Sequence, residues 1–146
     1  MGPFRVTSII FALAAAPGCH GKGRDTMTQR SYDPVALGHE LKVSLPPSAR
    51  VIGIDRENGM DDLVSAKLEM AEGEWPSFLA STPIQPDAFR PGTRGMLGED
   101  HGFWDPHQAA GLKTAQAPLP GARWLNIAVS AAVNGTVVVY IVNHGT

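Results

Sequence analysis

An Asn134-Gly135 dipeptide separates two apolar runs, Arg123 to Val133 and Thr136 to Asn143, and it constrains this chain more than any other feature. A two-residue turn needs positive φ at both central positions, which Asn and Gly adopt most readily, and its twist matches that of flanking antiparallel strands. An antiparallel hairpin is therefore expected here. Pairing Ala132 with Val137 puts Leu125, Ile127, Val129 and Ala131 beside Val138, Tyr140 and Val142 on one apolar face. The other face, with Val137, Val139 and Ile141 against Asn126, Ala128 and Ser130, is expected to be partly covered by a loop or a partner.

A second hairpin is expected from Val51 to Asp55 and Leu63 to Met70, flanking Asn58-Gly59. A two-residue turn there would set Ile52 and Ile54 on the face opposite Val64, Ala66, Leu68 and Met70. A loop of odd length, three or five residues, restores a common face by pairing Ile54 with Val64 and Ile52 with Ala66, with Asp61 and Asp62 at its exit. Leu41, Val43 and Leu45 alternate with polar neighbours up to Pro46-Pro47 and read as a further strand. Glu74 to Ala80 reads as a short helix, with Pro76 in its first turn and Trp75, Phe78 and Leu79 at helical spacing. Thr82 to Ala110, rich in proline and glycine, reads as a long ordered loop with one helical turn near Asp87 to Arg90. The class is α+β: a mostly antiparallel sheet of about five strands, one short helix, and the long loop before a C-terminal hairpin.

The chain divides into a signal peptide at residues 1–18, a tether at 19–40 and a single globular domain at 41–146. Arg5 supplies one positive charge, and the apolar stretch from Val6 to Ala16 is too short to span a bilayer, which needs about 20 residues. Cys19 is the only cysteine, which rules out an intrachain disulfide and a thiolate-rich zinc site. The small residues before it resemble the lipobox of bacterial lipoproteins, although Ala16 and Pro17 stand where that pattern prefers Leu and a small residue. The resemblance implies that Cys19 carries the lipid and anchors the chain to the cell envelope, and His20, where an Asp would retain it, implies the outer membrane over the inner. Two other readings stay open: cleavage after Ala14 giving a secreted or periplasmic protein, and a buried apolar helix of a cytosolic protein, with Met27 as an alternative start. Leu45-Pro46-Pro47-Ser48-Ala49-Arg50, followed by Gly59 to Asp62 and a strand bearing Lys67, is similar to a layout among small exported bacterial proteins of unknown function. Some proteins of that look are suspected immunity or inhibitor lipoproteins.

The stretch Glu99 to His107 gathers Glu99, Asp100, His101, Asp105 and His107 around Phe103 and Trp104. His101, Asp105 and His107 form a weak zinc or iron donor set whose spacing matches no established site. On the structural reading, Phe103 and Trp104 plug the sheet and Asp105 caps a turn over His107 to Ala110. Phe103, Trp104 and Asp105 are also the candidates for contacting a partner. Asp55, Glu57, Asp61 and Asp62 cluster around the first hairpin loop, where solvent disfavours acid–base chemistry. Ser130 and His144 have no orienting acid, and no GxSxG elbow, P-loop or dinucleotide fingerprint is present. A net charge of -2 with dispersed basic residues argues against nucleic acid. The expected function is a non-enzymatic envelope binding protein, tethered to the membrane, without a cofactor, that holds a protein partner, with inhibitor or immunity activity as a special case. The alternative is an envelope metal-binding protein or enzyme built on the Glu99 to His107 loop.

Overall fold

Residues 32–93 and 97–145 are described in a computed structural model. The expected signal peptide, Cys19 and the expected tether up to residue 31 lie outside the described residues. Alternating apolar positions build an antiparallel sheet from β1 (Arg50–Glu57), β2 (Leu63–Ala71), β3 (Arg90–Pro91), β4 (Lys113–Leu119), β5 (Arg123–Val129) and β6 (Thr136–Gly145). Their spatial order is β1-β2-β6-β5-β4-β3. Together with the helices α1 (Pro34–Leu41) and α2 (Trp75–Ala80), this gives a sheet-rich α+β fold.

α1 takes up the last part of the expected tether and ends at Leu41, and residues 42–45, expected as a strand, form a turn and irregular backbone instead, so the folded unit begins before residue 41. The Asp33 carboxylate accepts the Val35 N–H at 3.0 Å, and Pro34 occupies the first turn, where its missing N–H costs nothing. Leu37 and Leu41 fall one turn apart and are buried together. The helix stops at Lys42, which turns left-handed at φ 61°. Asn143, buried on β6, donates its amide to the Leu41 carbonyl at 3.2 Å and so satisfies an acceptor that the helix end leaves open. Glu40 grips Arg56 of β1 through two hydrogen bonds of 2.6 and 2.7 Å. Those bonds outweigh the opposing effect of burial and, with the Arg56 charge, hold the Glu40 carboxyl below its ordinary pKa.

α2 forms where expected, preceded by a tight turn at Glu72–Glu74, and buries Phe78 and Leu79. A single helical turn at Pro86–Ala88 stands close to the one expected near Asp87. β3 and β4 raise the strand count above the expected five. Proline concealed β4: Pro118 cannot donate a ladder hydrogen bond, but β3 pairs only with Thr114 and Lys113, so the edge beside Pro118 needs no donor.

The two hairpins hold the main lesson in register. The first has a loop of odd length, as expected, with Glu57 opposite Leu63, but Ile54 meets Ala66 rather than Val64. The parity survives, so Ile54 still joins Ala66 and Leu68 in the core. In the last hairpin Asn134 and Gly135 both take positive φ, 51° and 74°, and Val133 bridges Thr136 across the turn. Val129 then pairs with Val139, one residue out of step with the expected pairing. A bulge around Ser130 absorbs the difference. Ser130 donates its N–H to Val138 O at 2.9 Å, and its hydroxyl accepts the Val138 N–H at 3.0 Å. Ala131 donates instead to Ala110 of the long loop at 2.8 Å.

That one-residue shift reassigns the faces. Leu125, Ile127 and Val129 share a face with Val137, Val139 and Ile141, beneath α1 and α2. Ala128, Tyr140 and Val142 share the other face with Leu97, Trp104 and Leu112 of the loop. Both faces of the sheet are therefore covered, the second by loop residues instead of by a helix.

Candidate functional site

The register sets three rows of side chains across the loop-covered face. The first runs Gly53, Lys67, Tyr140, Ala128 and Thr114; the second Asp55, Ser65, Val142, Asn126 and Gln116; the third Glu57, Leu63, His144, Trp124 and Pro118. The loop is nailed to the first row. Phe103 lies against Gly53, where an added Cβ would stand 2.3 Å from a ring carbon. Trp104, 2% exposed, sets its ring edge-on to Tyr140 at 5.3 Å and donates its indole N–H to Leu97 O at 2.6 Å. Asp105 accepts from Lys67 Nζ at 2.6 Å and from the Tyr140 hydroxyl at 2.7 Å.

These positions answer several sequence expectations. Phe103 and Trp104 plug the sheet, and Trp104 is too deeply buried to meet a partner. Asp105 does not cap the turn at Pro106–Gln108, because its carboxylate is engaged by Lys67 and Tyr140. Asp100 reaches that turn instead, accepting the His107 N–H at 3.0 Å and lying 2.8 Å from its Nδ1. Burial by itself pushes the Asp105 carboxyl up, but the Lys67 and Tyr140 hydrogen bonds and the ammonium charge outweigh it and leave the pKa below the ordinary value. The Tyr140 hydroxyl is raised, first by burial and then by the neighbouring Asp105 carboxylate.

Replacing Gly53 with alanine is expected to push Phe103 off the sheet and cost about 1–3 kcal/mol, the usual range for overpacking. Urea unfolding checks this, with Gly53→Ala/Phe103→Leu as the rescuing pair. A single variant as stable as the parent would show that Phe103 does not depend on this contact.

The metal candidates separate. His101 Nε2 lies 3.5 Å from Asp55 Oδ2, His107 contacts Asp100, and Asp105 contacts Lys67. Among the described residues no three His, Cys, Asp or Glu side chains gather as a metal ion requires. Ser130 and His144 sit toward opposite ends of the β5–β6 pair, as Val129 meets Val139 and Trp124 meets His144. Asp61 and Asp62 are exposed on the hairpin loop, as a solvated tip would place them.

What the fold does bring together are two motifs that are about 40 residues apart along the chain. Asp55 and Glu57 from the first hairpin meet Glu99 and His101 from the loop around an open pocket of about 430 Å³. Leu63, Ser65 and Val142 form its sheet side, and Leu97, Gly98 and Trp104 its loop side. The pocket lies beyond the first row, where the anchored loop ends and the second and third rows emerge. Ser65 is 6% exposed, directly opposite both Asp55 and Val142, and its hydroxyl makes no hydrogen bond among the described residues. Asn126, on the far side of Val142 in the same row, is fully buried with neither amide atom partnered among the described residues. A second open pocket of about 490 Å³ lies beside α1, lined among others by Val35, His39, Lys42 and Ser81, with no carboxylate among its described lining residues.

The sequence gives Lys67, Tyr140 and Ser65 no role in a site. A lysine in mid-strand among apolar residues was the available signal for the first, since such a charge needs a partner once its strand is covered. The chain matches no family model, no curated protein and no solved structure.

Proposed function

We propose that this chain is a non-enzymatic binding protein of the bacterial envelope, held to a membrane through an acylated Cys19, with a protein partner at the rim of its open pocket. The observation that carries the binding part is the division of labour in the loop. Phe103, Trp104, Asp105, Asp100 and His107 are occupied in holding it, while Asp55, Glu57, Glu99 and His101 surround an open pocket. The partner contact expected at Phe103, Trp104 and Asp105 therefore moves to this rim. The tether rests on the lipobox-like leader. No helix among the described residues is long and apolar enough to cross a membrane. The metal reading of His101, Asp105 and His107 gains no support from side chains engaged with three different partners.

Intact mass and membrane fractionation of the protein expressed in a bacterium, beside Cys19→Ser, test the tether. The expected result is a chain starting at Cys19 with added acyl mass in the membrane fraction, lost in the variant. An unprocessed chain in the soluble cytoplasmic fraction would overturn it.

A further inference from the structure

We infer that the pocket between the first hairpin and the loop receives an organic cation, a primary ammonium or a guanidinium group. The inference deepens the binding reading above and rests on it. Three carboxylates, Asp55, Glu57 and Glu99, stand around an opening whose described lining residues include no lysine and no arginine; His101, 3.5 Å from Asp55, is the one basic side chain among them. Such a concentration of like charge attracts a cation and repels an anion. An acidic rim alone would be a solvated surface; the second observation is Ser65. Its side chain is more than nine-tenths buried, faces the pocket between Asp55 and Val142, and has no partner for its hydroxyl. Its hydroxyl, unused among the described residues, presents one donor and its acceptor lone pairs to whatever enters the pocket.

The chemistry of the lining selects the kind of cation. A bare metal ion needs several donors converging on one point, and no three side chains here do so. An ammonium or guanidinium distributes its hydrogens over separate acceptors, which suits a carboxylate at the rim and a hydroxyl on the floor. Leu63, Leu97 and Val142 add apolar walls against which the methylene stem of such a group can lie. A volume of about 430 Å³ accommodates one small ligand or one long basic side chain. The cation therefore comes either from a free small amine or from a lysine or arginine of the protein partner.

Titration calorimetry of the protein purified from its host, at low salt, separates these sources. One arm uses agmatine and the other an acetylated Gly-Arg-Gly amide, with acetyl-glutamate as the anionic control. Saturable binding of agmatine assigns a small amine; binding of the peptide without agmatine assigns a partner side chain. Either is expected to weaken about tenfold in Asp55→Asn and severalfold in Ser65→Ala, the loss that follows removal of a charge-assisted hydrogen bond and a neutral one. Asp55 is well exposed, and an unchanged urea midpoint for Asp55→Asn separates lost binding from lost folding. No saturable binding of either probe up to about 10 mM, a range that includes very weak sites, overturns the inference, as does binding that both variants leave intact or that acetyl-glutamate matches. Those outcomes leave the Cys19 fractionation result untouched, so the pocket and the tether fail separately.

Discussion

Replacing Trp104 with alanine is expected to lower the unfolding free energy by about 3–5 kcal/mol, the usual cost of truncating a buried aromatic side chain. Trp104 is among the largest fully buried side chains and centres the smaller of the two cores. Its removal takes away the edge-on contact with Tyr140 and leaves the Leu97 carbonyl without its indole donor. Trp104→Phe keeps most of the ring and loses only the N–H, so its loss is expected to be clearly smaller. Urea unfolding of the three proteins checks the order, parent above phenylalanine above alanine. An alanine variant with the parent's midpoint would mean that the loop contributes no stability, which would also remove the rigid wall from the pocket.

The second large effect is expected at Asp105. Asp105→Ala leaves the Lys67 ammonium, 15% exposed, without a counter-ion, and the Tyr140 hydroxyl without its best acceptor. Breaking a fully buried ion pair costs about 3–5 kcal/mol; because the Asp105 carboxylate is about a third exposed, we expect about 2–3. The double variant Lys67→Met/Asp105→Leu removes both charges and is expected to recover much of the loss, since the charge left stranded dominates the single variant. A double variant as unstable as the single would shift the cause to packing.

The same cluster sets a pH dependence. The Asp105 carboxyl is depressed in the folded protein, so its stabilisation is complete above the unfolded value of about 3.9 and is lost as pH falls through its own lower value. Tyr140 is raised, so its contribution is complete below the unfolded value of about 10 and is lost as pH rises above it. Asp105→Asn is expected to flatten the acid limb of stability below about pH 4 without abolishing it, because Glu40 and Asp100, each also held down by hydrogen bonds, share that limb.

Local signals were legible wherever the chemistry was local. Asn134-Gly135 gave the turn, Pro76 with Phe78 and Leu79 gave α2, and the clash of faces in the first hairpin gave an odd loop. Register was not legible beyond the turn, since a bulge at Ser130 depends on Ala110 of the distant loop accepting the displaced Ala131 N–H. One slipped residue moved Tyr140 from the face of Leu125 to that of Asn126. α1 was hidden by its eight-residue length, though Asp33-Pro34 and the Leu37–Leu41 spacing signalled it. The site suffered most, because Asp55 with Glu57 and Glu99 with His101 were each ordinary as loop charges. Only pairing Asp55 with Ser65 and laying the loop over the sheet makes them one rim.

The placement of β6 has a consequence for the order of folding. It is the last strand in sequence and lies in the middle of the sheet, with β1 and β2 on one side and β5, β4 and β3 on the other. Ala71 meets Thr136 and Leu63 meets His144, pairings 65 and 81 residues apart. Contacts so distant in sequence make for slow folding, because a large loop must close before they give any return. Until residues 136–145 have emerged, the chain has two half-sheets, each with an open edge where β6 will sit. A polypeptide of this design stays pliant until its central strand docks, and its aggregation hazard falls in that interval.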